Sequence, residues 1–119
     1  MTTELLTVVE IASFSRNAAK LWTDIERSDF VQYIAGNPDA GDVIPDTGGL
    51  RKIRWGRQGS GKRGGVRVIY YYYNLSIPLY LLSVYAKAGK EDIDADEKKV
   101  LTAIASELKQ QATSKGDPK

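Results

Sequence analysis

The chain has 119 residues, 42% of them hydrophobic, enough for one domain with a core of its own. It contains no cysteine and no histidine, which excludes disulfides and thiolate metal sites and removes the commonest general base and metal ligand. The formal net charge of +2 conceals a segregation: residues 47–90 carry Arg51, Lys52, Arg54, Arg57, Lys62, Arg63, Arg67, Lys87 and Lys90 and no acid, while the remainder is acidic. Nine cations on an acidic frame are the electrostatic footprint of a polyanion-binding surface.

From the N-terminus, Leu5 to Ile11 is apolar and β-branched and predicts a first strand. Met1 to Glu10 has no basic region of the kind a signal peptide needs, and no apolar run approaches the ~20 residues that span a bilayer. The expectation is a cytoplasmic protein without membrane association. Ser13 or Ser15 can cap a short helix running to Leu21 and Trp22. Thr23-Asp24-Ile25-Glu26 has the form of a capping box, opening a second helix with Ile25, Phe30, Tyr33 and Ile34 near helical spacing. Gly36 and Pro38 end it. Residues 37–49, rich in Gly, Pro and Asp, predict an ordered loop; Asp39, Asp42 and Asp46 fit no calcium-loop pattern and read as turn residues.

Three strands are expected next: Leu50 to Trp55, Val66 to Tyr73 and Leu79 to Tyr85. The basic loop Gly56–Gly65 lacks the spacing of a P-loop and precedes a strand instead of a helix. Short connections favour an antiparallel meander. An amphipathic helix from Asp94 to Gln111 follows, capped by Asp94 or Asp96, with Val100, Leu101, Ile104 and Leu108 as its buried stripe. Residues 1–111 form the expected single α+β domain, and 112–119 a polar tail. Helices are expected on one face of the sheet, leaving the other open.

Side chains at i and i+2 share a face of a strand. Lys52 and Arg54 form such a pair, Arg67 lies on the next strand, and Lys87 ends the last. Antiparallel pairing would gather all four on one patch, with Tyr71 near Arg67 and Tyr85 near Lys87 offering rings to bases. RNA can be cut there without metal or histidine, because its own 2′-hydroxyl attacks the adjacent phosphate. Arg54 and Arg67 would clamp the phosphoryl oxygens. Lys52, beside Arg51 and Arg54, is the candidate base, since a neighbouring cation disfavours the protonated amine. Lys87 would protonate the leaving oxygen or add charge. Arg51, Arg57, Lys62, Arg63, Tyr71, Tyr85 and Lys90 are the candidate RNA contacts. Trp22 and Trp55 read as packing residues. No cofactor is called for.

The segments Gly41-Asp42-Val43-Ile44-Pro45, Thr47 through Trp55, Gly61 through Tyr71 and Leu79 through Lys87 together resemble the RelE/ParE superfamily of type II toxins, most of all its HigB-like branch. The resemblance implies a small toxin domain that enters the ribosomal A site and cuts mRNA. It implies a cognate antitoxin, HigA-like with a helix-turn-helix domain, through which alone the pair would meet operator DNA. The family's basic residues fall on Lys52, Arg54, Arg67 and Lys87, the last standing where RelE itself has an arginine. Two other readings compete: a ParE-like gyrase inhibitor, and a non-catalytic nucleic-acid-binding module whose binding would weaken with salt.

Overall fold

The computed structural model describes residues 6–55, 65–86 and 93–116. In chain order the elements are β1 (Val8–Glu10), α1 (Ala12–Leu21), α2 (Asp24–Gly36), β2 (Asp42–Val43), β3 (Leu50–Trp55), β4 (Val66–Tyr71), β5 (Leu79–Ala86) and α3 (Ala95–Gly116). The strands form one mixed sheet in the order β1-β5-β4-β3-β2. The β3-β4-β5 meander is antiparallel, β2 extends it antiparallel beyond β3, and β1 pairs parallel with β5 at the other edge.

Local signals account for most element ends. Thr23 accepts from the Glu26 amide at 3.1 Å while the Glu26 carboxylate accepts from the Thr23 amide at 2.9 Å, which satisfies two otherwise orphaned donors. No serine caps α1: its first flanking residue is Ile11, and Ser15 instead donates to Glu10 at 2.8 Å. Glu10 also receives a two-pronged contact from Arg27, so one carboxylate ties β1 to α1 and α2. Those hydrogen bonds hold the Glu10 carboxyl below its usual value against the opposing effect of burial.

The sheet is covered on both faces, which corrects the expectation of an open side. Phe14 and Ala18 of α1, Trp22 just beyond its end, and Phe30 and Ile34 of α2 pack on Val66, Val68, Tyr70, Leu79, Leu81 and Val84. On the opposite face α3 packs Leu101 and Ala105 on Leu50, Ile69, Tyr71, Leu82 and Tyr85. Pattern and burial part company at four positions: Val100 is 59% exposed, Ile25 is 72% exposed, and Ala105 and Ala112 are buried. Alanine supplies the close contact where α3 crosses the sheet, and the expected tail is helix as far as Gly116. Among the described residues no helix is long and apolar enough to cross a membrane.

The interval between α2 and β3 holds one element that composition hid. Tyr70, fully buried in β4, donates its hydroxyl to the Pro38 carbonyl and accepts from the Gly41 amide, both at 2.8 Å. Arg51 reaches the same segment, donating to the carbonyls of Gly41 at 2.6 Å and Asp39 at 3.2 Å. A Cβ on Gly41 would lie 2.9 Å from both the Tyr70 hydroxyl and the Lys52 carbonyl, so only glycine passes. The chain then pairs as β2 before a tight turn in which Asp46 has a φ of 63° and the buried Thr47 hydroxyl bridges Ile44 and Leu50.

Candidate nucleic-acid interface

Register decides which charges meet. Across β3, β4 and β5, Arg54 pairs with Arg67 and Arg67 with Tyr85. In the neighbouring row Asp42 pairs with Lys52, Lys52 with Ile69, and Ile69 with Ser83. Directly paired side chains share a face with Cβ atoms about 4.5–5.5 Å apart, so two arginines stand side by side, an arrangement that costs energy without an anion between them. Arg54 is exposed and Lys52 half-buried. Arg67 is only 9% exposed, and its Nη1 lies buried without a hydrogen-bond partner. A buried guanidinium nitrogen left unpaired is costly, and a phosphoryl oxygen is the acceptor its planar fork matches.

A β-bulge shapes this row. Ile69 pairs with Ser83 but Tyr70 pairs with Leu81, so Leu82 is an extra residue in β5. Leu81 and Val84 therefore face α1 and α2, while Leu82 and Tyr85 face α3. The bulge carries Tyr85 to the face of Arg67.

The other candidates are placed as follows. Tyr71 is 2% exposed and Tyr85 9%, both beneath α3, and Tyr71 stacks on Tyr73 with centroids 6.5 Å apart. Burial, then the neighbouring Tyr73, pushes the Tyr71 hydroxyl pKa up. These rings are core in this arrangement and do not present open stacking platforms. Arg51 lies on the face opposite Lys52 and Arg54, where it holds the 39–41 carbonyls. Trp55 and Trp22 are links in an aromatic chain, Tyr33–Trp55–Phe30–Trp22–Phe14, with successive centroids 5.0, 5.2, 5.3 and 6.3 Å apart. Lys87, Arg57, Lys62, Arg63 and Lys90 lie outside the described residues.

Two carboxylates border the basic rows: Asp42, which the sequence reads as a turn residue, and Glu97, to which it assigns no site role. Asp42 stands opposite Lys52 in the β2–β3 register, and Glu97 in the first turn of α3 accepts from the Ser83 hydroxyl at 3.5 Å. The only local hint of β2 is the β-branched pair Val43-Ile44 after Asp42. Among the described residues no group of three or more metal-binding side chains converges.

Residues 8–116 match the family described as the RelE toxin of the RelE / RelB toxin-antitoxin system. The fold is also similar to a solved structure of the E. coli toxin RelE, a mutant with two arginines changed to alanine, in the free state. That likeness has a TM-score of 0.53 and 15% sequence identity, and covers 74% of this chain and 90% of the other.

Proposed function

This chain belongs to the RelE toxin family of type II toxin–antitoxin modules, and on that premise we propose that it is a ribosome-dependent mRNA endoribonuclease of the HigB-like branch, acting in the cytoplasm. It inhibits translation by promoting attack of a 2′-hydroxyl on the adjacent phosphate within the A-site codon, without metal or cofactor. Arg54 and Arg67 hold the phosphoryl oxygens and offset the charge that builds on them as the bond breaks. Lys52 adds charge and takes part in proton transfer, and Lys87 adds charge beside the leaving 5′-oxygen. The antitoxin that neutralises it is HigA-like, with a helix-turn-helix domain that would carry the pair to operator DNA.

The observation that carries this reading is the paired Arg54 and Arg67, the latter with a buried donor lacking an acceptor. A surface that touches only protein has no need of such a phosphate clamp, which weighs against the gyrase-directed alternative. The test is 5′-end mapping of mRNA after brief induction of the chain, beside an Arg67→Ala, Lys52→Ala double variant. Cuts within translated codons are expected from the parent and none from the variant. Growth arrest with intact mRNA would favour a gyrase target, and salt-sensitive binding without cleavage a passive module.

A further inference from the structure

An ordinary lysine is an acid at neutral pH and an ordinary aspartate a base, because their usual pKa values are about 10.4 and 3.9. The β2 register brings a carboxylate to the face that bears Lys52. We infer that Asp42 accepts the proton of the attacking 2′-hydroxyl and that Lys52 acts as the cation and proton donor beside it, an assignment that rests on the endoribonuclease reading above.

Three observations carry it. First, Asp42 and Lys52 are a direct cross-strand pair, so both project from the face that bears Arg54 and Arg67. Second, Asp42 is exposed and sits on the last strand of the sheet, where substrate has access. The row that pairs Arg54 with Arg67 is two residues along β3, about 7 Å away. A phosphate held there brings its neighbouring ribose within a side chain's reach of Asp42. Third, the backbone that delivers Asp42 is fixed from the opposite face by Tyr70 and Arg51, through four hydrogen bonds to residues 38–41. Proton transfer demands such fixed placement, since a displacement of about 1 Å can cost 100-fold in rate.

The step balances. The 2′-O–H proton passes to the Asp42 carboxylate as the 2′-oxygen bonds to phosphorus. The bond from phosphorus to the 5′-oxygen breaks, and that oxygen takes a proton from the Lys52 ammonium. The products are a 2′,3′-cyclic phosphate and a 5′-hydroxyl end; solvent returns both side chains to their starting states.

The test is single-turnover cleavage of mRNA on programmed ribosomes by the full chain, comparing the parent with Asp42→Asn and Asp42→Glu. The expected result is a 10²- to 10⁴-fold slower cleavage step in Asp42→Asn, roughly what a general base contributes. The ribosome concentration for half-saturation and the unfolding midpoint should not change. Asp42→Glu, which keeps the carboxylate, should recover at least about tenfold of the loss. Asp42→Asn cleaving close to the parental rate, or a loss that Asp42→Glu does not relieve, would each overturn the assignment while leaving the nuclease intact. A parent that leaves ribosome-bound mRNA whole would instead remove the endoribonuclease reading itself.

Discussion

Replacing Tyr70 by Phe isolates the pin beneath the β2 edge. The substitution keeps the buried ring and removes one hydroxyl, which both donates to Pro38 and accepts from Gly41. The Gly41 amide is buried and loses its acceptor, at a cost of about 1–3 kcal/mol. The Pro38 carbonyl is partly buried and loses about 0.5–1.5 kcal/mol. The expected destabilisation is therefore about 2–4 kcal/mol, or roughly 8–15 °C in unfolding midpoint for a domain of this length. Urea titration should show the midpoint falling with the slope unchanged, the signature of lost stability without a change in exposed surface. A loss below about 0.5 kcal/mol would mean that water replaces the hydroxyl at no cost and that Tyr70 does not hold the segment.

Four further outcomes are expected. Burial raises the Tyr70 pKa, opposed by the Gly41 hydrogen bond, so the folded chain keeps a proton that the unfolded chain surrenders near pH 10. Stability should be intact below that point and fall as the pH rises above it, and Tyr70→Phe should flatten part of the fall in equilibrium unfolding. Glu10 has the opposite sign: its lowered pKa contributes stability above the ordinary carboxylate range that is lost as the pH drops through it, and Glu10→Gln should remove that acid limb. Gly41→Ala should cost about 1–3 kcal/mol by thermal unfolding, because one atom the new methyl meets is the backbone carbonyl of Lys52. Ala105→Leu should cost about 1–3 kcal/mol by overfilling the seam between α3 and the sheet.

How much of this was legible depended on whether the physics was local. The capping box at Thr23 and the three meander strands follow from neighbouring residues and appear where pattern places them, except that β4 ends at Tyr71, two residues short of the expected Tyr73. The shared face of Lys52, Arg54 and Arg67 needed only antiparallel pairing and period-two geometry. The side of the sheet on which α3 docks is a tertiary choice that periodicity does not encode, and it turned Tyr71 from a prospective platform into core. Arg51 shares the charge of its neighbours but lies on the other face, so composition grouped what parity separates. Asp42 sits among turn-forming residues and joins a two-residue strand, too short for any alternation to register.

The bulge in β5 is the other feature that parity alone misjudges. Simple alternation would put Leu79, Leu81 and Tyr85 on one face, yet Tyr85 crosses to the side of Leu82 because β5 carries one residue more than β4 can pair. If Leu82 is that extra residue, deleting it should let the ladder close with every other pairing kept: Tyr70 with Leu81, Ile69 with Ser83, Arg67 with Tyr85. The only loss would be one buried leucine beneath α3, so the deletion should cost about the same as Leu82→Ala, roughly 2–5 kcal/mol. Deleting Val84 offers the contrast, since it would turn Tyr85 to the α1 and α2 side and pull the Arg67 row apart. Unfolding of the three variants separates the cases. A Leu82 deletion that destroys the fold while Leu82→Ala merely weakens it would show that the bulge supplies curvature the sheet cannot do without, and that Leu82 is not a removable insertion.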